Sequence, residues 1–406
     1  MSLTKGKLAA AVSMALALAV VALTQTACSP KSAGGDEIVI GASIPLSGTL
    51  ASFGSFQKWG YEHAVAEVNA RGGLRVDGAL RKVRLILRDD RTDANLASSN
   101  IDSLVSSDHA DALLGSCTPP LVIAAALAAE RNATPMVTGC APVLIFAAAK
   151  HWQWAWDLFF NEAELAEGPF QTWKALQLST NGKVAILHDN GADGAAVGGR
   201  LWPALATKYG LSVVANVEFP TDTSDFSASV QTVRSSGADI LMVDAVTPQM
   251  VSIRKQLASS GFTPKVLVME KGAEPTQFAE AVGALADGVM VGGYWDASFT
   301  YPGAKELGAA FQSQTQRTVS QHIADSYVAA RVLLDAIAAA GSVDKLKVNA
   351  AIALTNRTYP VGAVKFGANH TAPLGIAELQ WQAGATQVVW PVAAKTAQFM
   401  FPVPAH

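Results

Sequence analysis

The sequence predicts an α/β protein built as two doubly wound lobes, and three observations carry that expectation. Short, nearly continuous apolar runs alternate with amphipathic helical patterns through most of the chain. Runs of that kind are what strands buried on both faces look like, and their alternation with helices argues parallel sheets covered on each side. The runs also fall into two sets, each close to the size of one lobe, which suits a chain of 406 residues.

The elements follow in order. The first set of strands is "EIVIGASI" (Glu37–Ile44), "VRLILRD" (Val83–Asp89), "ADALLGS" (Ala110–Ser116) and "TPMVTG" (Thr134–Gly139). The second is "KVAILHD" (Lys183–Asp189), "LSVVANVEF" (Leu211–Phe219), "ADILMVDA" (Ala238–Ala245) and "KVLVMEK" (Lys265–Lys271). Helical patterns lie between them at Ser55–Ala70, Asp93–Ser107, Pro119–Arg131, Ala195–Lys208 and Pro248–Ser260. The join is the tryptophan-rich segment "HWQWAWDLFF" (His151–Phe160). Beyond Trp295 the pattern turns mainly helical, in Ala324–Gly341 and Asp344–Leu354, and the chain ends in the extended segments "AELQWQAG" and "TQVVWPVA". In open α/β sheets ligands bind beyond the carboxyl ends of the strands, so the loops of interest begin at Ile44, Asp89, Gly115, Val137, Leu187, Asp244 and Met269.

Composition narrows the function. Half the residues are hydrophobic and only 16% are charged, with a formal net charge of −3, so no basic excess exists to neutralise nucleic acid. Lys5 and Lys7 precede the apolar run Leu8–Leu23 and "TQTACSP", a pattern that reads as an export signal over residues 1–27. Residues 28–36 then form a polar tether. Cys28 resembles the lipidated cysteine of bacterial lipoproteins, although Gln25 stands where that pattern wants Leu; the alternative is ordinary cleavage after Ala27.

Catalytic patterns are missing. The sequence holds no GxSxG elbow, HExxH, GxGxxG or GxxxxGK[ST]. Its seven histidines are scattered without metal-ligand spacing, and "DDRTD" (Asp89–Asp93) lacks the Gly and distal Glu of a calcium loop. Neither a cofactor, a metal nor an enzymatic activity is expected.

The ordered motifs, taken together, resemble one family. "PLSGTLASFGSFQKWGYEHAVAEVNARGG…RKVRLILRDDRTD…ALLG" is similar to the opening lobe of the periplasmic leucine/isoleucine/valine-type binding proteins. The similarity runs on through "KVAILHDN", "ADILMVDA", "IRKQLASSGF", "ADGVMVGGYW" and "ADSYVAARVLLDAIAAAGS", covering nearly all of the chain from about residue 37. It implies a type I periplasmic binding fold, two Rossmann-like lobes joined by three crossings near Trp154–Asp157, Gly293–Trp295 and Gly375–Leu379. The implied lobes are residues 37–155 with 295–376, and 156–294 with 377–406. The implied function is a monomeric, periplasmic solute-binding component of an ABC importer. It would deliver a small amino acid, or a related amine or carboxylate, to an inner-membrane permease. A ligand-sensing receptor, or a binder of aromatic carboxylates or amide- and urea-like compounds, is the alternative.

The resemblance also places site residues. Ser47 and Phe53 belong to one lip of the cleft, Phe53 either touching ligand or capping its own lobe. Carboxylate-holding loops fall at "GSCTPP", with Cys117, Thr118 and Pro119, and at "TGCAP", with Ala141 and Pro142. A helix N-terminus suits a carboxylate, yet Pro119 and Pro142 replace hydroxyl residues and bring no N–H. Glu270 falls at the family's ammonium-binding position; otherwise it is a surface Glu pairing with Lys271. Asp193 is either an acceptor or a helix N-cap, and Val246 makes its side of the site plainer than usual. Trp295, at the second crossing, stands between cleft and core. Cys117 and Cys140 are a disulfide candidate in an oxidising compartment, against two buried free thiols. Trp152, Trp154 and Trp156 would share one face of an extended segment, as a ligand stack or as hinge packing.

Overall fold

The computed structural model describes residues 37–405. The export signal over 1–27, the tether over 28–36 and Cys28 lie outside the described residues. Among the described residues, two seven-stranded sheets carry the architecture, with a two-stranded hairpin of Asn356–Tyr359 and Gly362–Lys365 beside them. Across the first sheet run Thr371–Leu374, Ala155–Phe160, Met136–Thr138, Ala112–Leu114, Glu37–Ile44, Ala79–Asp89 and Leu74–Val76. All pair in parallel except the hairpin strand Leu74–Val76. Across the second run Ala385–Trp390, Ala377–Gln382, Val289–Gly293, Val266–Lys271, Ile240–Ala245, Lys183–Asp189 and Ser212–Phe219, with the first two joining antiparallel.

The apolar runs are strands for the expected reason: they are covered on both faces. Ile38, Ile40, Ala42 and Ile44 have no exposed surface, and neither do Leu241, Met242 and Val243. The helix Ala51–Ala70 packs against His322–Ala340 on one face of the first sheet, while Ala94–Ser106 and Pro119–Arg131 cover the other. Gly60 permits the first of these pairings, because a Cβ there would stand 2.7 Å from the Tyr327 backbone nitrogen. No single helix among the described residues is long and apolar enough to cross a membrane.

Two expectations change. The resemblance implies a first crossing near Trp154–Asp157, with the first lobe ending at 155. Instead all of Ala155–Phe160 is a strand of the first sheet, paired with both Met136–Thr138 and Thr371–Leu374. Every residue of it is buried, so the run extends the core before the chain leaves. Asn161 then caps the helix Glu162–Leu176, accepting from the Ala163 and Glu164 nitrogens, and that helix covers the second sheet. The tryptophans do not form one face either. Trp152 stacks on Phe146 and donates to its carbonyl, whereas Trp156 stacks on His370 in a separate cluster.

The pattern at Ala195–Lys208 is one helix interrupted. Ala192–Ala196 and Trp202–Lys208 are α-helical, and Val197–Leu201 between them is a wide π turn. Pro203 lacks the N–H that would continue the α ladder, and Gly198 lies against the His188 ring, where a Cβ would collide.

Candidate functional site

The loops at the carboxyl ends of both sheets face one another, and several contacts bridge them. Ser52 and Thr247 hydroxyls lie 3.1 Å apart, Gln277 Nε2 donates to Ser55 Oγ at 3.2 Å, and His322 Nε2 meets Glu274 Oε2 at 3.0 Å. The lobes are therefore closed on each other. Between them lies a cavity with two adjoining chambers that share Phe160, Asp193, Lys271 and Glu274.

The first-lobe wall starts from the loop after Glu37–Ile44. Asp89 organises it, accepting from the Leu46, Ser47 and Arg91 nitrogens and from Ser47 Oγ at 2.6 Å. Desolvation works against its charge, but these donors outweigh it and hold the carboxyl below its ordinary value. "DDRTD" is thus a loop anchor. Ser47 is exposed, spent on Asp89, and absent from the residues lining the cavity. Phe53, one turn into the following helix, does line it, edge-on to the His322 ring at 4.9 Å.

Cys117 and Cys140 are joined as a disulfide with Cα atoms 4.8 Å apart, and both line the cavity. The bridge ties together the loops that precede the helices Pro119–Arg131 and Val143–Ala149. Thr118 adopts a positive φ of 66° and donates its N–H to the Cys140 carbonyl. Pro119 and Pro120 open the helix and bring no N–H, so this helix start lacks most of the donors that would hold a carboxylate. Pro142 lines the cavity as well, whereas Ala141 is buried in the core behind it.

On the second-lobe wall Lys271 dominates. It ends the strand Val266–Lys271 at a positive φ of 66°, which turns its side chain inward. Its Nζ lies 2.7 Å from Asp244 Oδ1, 2.9 Å from Asp189 Oδ2 and 3.6 Å from Asp193 Oδ2. Burial alone would lower its pKa; the three carboxylates outweigh that and raise it. Glu270 is buried and the Lys271 ammonium is taken by the three aspartates, so the two are not a surface pair. Glu270 accepts the Gly292 N–H at 2.9 Å through Oε2 and leaves Oε1 without a partner. Desolvation, and then Glu274, push its carboxyl well up.

His322 reaches from the first lobe into the same cavity. Its Nδ1 lies 2.8 Å from Tyr294 Oη and 3.3 Å from Asp325 Oδ2, while Nε2 meets Glu274. Burial lowers its pKa, but Asp325 and Glu274 prevail and push it up to about 9. Phe159 and Phe160, with ring centroids 4.2 Å apart, close the apolar side.

The structure therefore gathers Phe53, Cys117, Thr118, Pro119, Pro142 and Asp193 around one chamber and places Glu270 on the other. Val246 starts the helix Thr247–Ser259 and packs half-buried against the first-lobe core, outside both chambers. Trp295 is buried in that core with Nε1 donating to the Pro360 carbonyl, so it too stands away from the cavity. Lys271 as a wall residue, Glu274, His322, Phe159 and Phe160 were not anticipated. Glu274 and Lys271 sit beside Glu270 in "MEKGAE", and His322 lies two residues before the predicted helix start, but only folding brings them together. Cys140, His322 and Asp325 have metal-like spacing, yet the Cys140 sulfur is bonded to Cys117.

Residues 37–386 match the periplasmic binding protein family model. The chain is 27% identical to "Leu/Ile/Val-binding protein homolog 7" of Brucella melitensis over 95% of this chain and 98% of that one. Its fold matches the branched-chain amino acid transporter substrate binding protein LivJ from Streptococcus pneumoniae, solved with isoleucine (TM-score 0.76, 20% identity, 87% of this chain and 99% of that one). It also matches an ABC transporter solute binding protein from R. palustris solved with benzoate (TM-score 0.75, 17% identity, 91% and 98%). With two parallel-sheet lobes closed over a cavity and a family match along most of its length, the chain belongs to the periplasmic binding protein family and is a binding protein rather than an enzyme.

Proposed function

We propose that the protein is the exported solute-binding component of an ABC importer, working in the periplasm and handing a small amino acid, or a related amine or carboxylate, to an inner-membrane permease. The observation that carries this reading is the cavity itself, walled by both lobes and bridged by the His322–Glu274, Ser52–Thr247 and Gln277–Ser55 contacts. A solute touching both walls stabilises the closed form over the open one, which is all that a population shift requires. The closed surface is then what a permease recognises. The Phe53, Phe159 and Phe160 wall favours a solute with an apolar or aromatic body.

A thermal-shift panel tests the proposal on mature protein refolded to remove carried-over solute. The panel spans amino acids, amines, amides, urea, and aliphatic and aromatic carboxylates. A solute at about a thousand times its Kd adds about 4 kcal/mol, which is about 5 °C for about 370 folded residues. If no member of the panel moves Tm, the small-solute reading fails.

A further inference from the structure

The hydrogen-bonding groups facing the cavity are unevenly supplied. Its two cations are already committed. Lys271 Nζ is ringed by Asp244, Asp189 and Asp193, and both ring nitrogens of His322 have partners. Several backbone donors beside the cavity are committed or absent, and the Thr118 hydroxyl lines it as a neutral donor. The Thr118 N–H goes to Cys140, the Asn190 N–H to Phe219, the Gly191 N–H to Asp189 and the Lys271 N–H to Glu274. Pro119, Pro120 and Pro142 have none.

Acceptors, by contrast, are left over. Asp193 meets only Lys271, through one oxygen at 3.6 Å. Glu270, 4% exposed, lines the second chamber with Oε1 unpartnered. In that chamber Glu162, Asp193, Asp244, Glu270 and Glu274 stand against the single cation Lys271. Burial raises the carboxyl pKa of Glu162, Asp193, Asp244 and Glu270, as expected of acids that share too little positive charge. Beyond the acidic end lie the Phe53, Phe159 and Phe160 rings, the disulfide and Pro142, which form an apolar wall and, through the ring faces, tolerate a nearby cation.

We propose that the solute is a small amine with an apolar body and no carboxylate, its ammonium group held by Asp193, which borders both chambers, with Glu270 Oε1 as the other spare acceptor. The inference rests on the cleft being the solute site. An ammonium supplies three donors and one positive charge where acceptors and negative charge are in surplus. Charge-assisted hydrogen bonds of that kind are the strong ones. A zwitterionic amino acid or a simple acid brings a carboxylate that meets only the neutral Thr118 hydroxyl unless it displaces Glu274 from His322, or Asp193 from Lys271, to reach a charged donor. A buried anion left without one is costly.

Titration calorimetry on the mature chain tests this with two sets of probes, each sharing one skeleton. The first is 3-methylbutylamine, leucine and 4-methylpentanoate; the second is 2-phenylethylamine, phenylalanine and 3-phenylpropanoate. The amine of at least one set binds about tenfold or more tighter than its amino acid and its acid. Asp193→Asn weakens that amine about tenfold or more, with Glu270→Gln as the second variant should the first fail to fold. An amino acid or acid binding as tightly as the amine overturns the inference and leaves the cleft reading standing, as does unchanged amine affinity in the folded variant. Silence from all six while another compound of the broad panel binds also overturns the inference alone. Silence from both sets and the panel removes both readings.

Discussion

His322 makes the stability of the closed protein depend on pH in a direction that can be worked out. Glu274, from the opposite lobe, and Asp325 and Tyr294, from its own, face the ring. Its pKa rises from 6.5 to about 9 on folding, since the two carboxylates outweigh the burial that opposes them. A raised pKa means the folded form holds the proton more tightly than the unfolded chain. The contribution is therefore complete below about pH 6.5 and is lost as pH climbs through about 9. That difference is about 3 kcal/mol. Spread over the unfolding entropy of about 370 residues, this is about 4 °C of Tm. Differential scanning calorimetry at pH 6, 7, 8 and 9 reads it, for the wild type and for His322→Gln. Buried acids with raised pKa values, such as Glu270 and Glu378, also lose stability as pH rises, so the difference between the two proteins is the quantity to follow. That difference shrinks by about 4 °C across the window. Parallel curves for the two proteins refute the argument.

Three other outcomes follow from single features. Glu378 is fully buried with neither carboxylate oxygen partnered, and desolvation raises its pKa; Glu378→Gln gains about 1–3 kcal/mol at pH 8 and less at pH 5, read as Tm. Removing the Cys117–Cys140 bridge, which spans 23 residues, with a paired Cys→Ser variant costs about 3 kcal/mol on the chain-entropy model; an unchanged urea midpoint contradicts it. Gly54 packs so closely on the Pro45 carbonyl that a Cβ cannot fit, so Gly54→Ala costs about 1–3 kcal/mol, measured by urea unfolding.

Much of this molecule follows from the order of its residues alone. Apolar runs between helices predict buried parallel strands because only a two-faced cover removes such runs from water, and Lys183–Asp189 and Pro119–Arg131 fall where the pattern put them. The family resemblance, whose motifs sit at strand ends where doubly wound sheets hold ligands, pointed to the phenylalanine at 53, Cys117 and the prolines at 119 and 142 as cleft residues. The tertiary structure alone decided which charges meet. Lys271 finds Asp189, Asp193 and Asp244 from two other segments, and His322 finds Glu274, 48 residues away, across the gap between lobes. Pattern within one segment reports which face is buried, but an ion pair depends on register, backbone turn and lobe closure, none of which a local pattern encodes. Trp295 shows the same limit from the other side. Its place at a crossing allowed either cleft or core, and one hydrogen bond to Pro360, formed only in the folded lobe, settled it for the core.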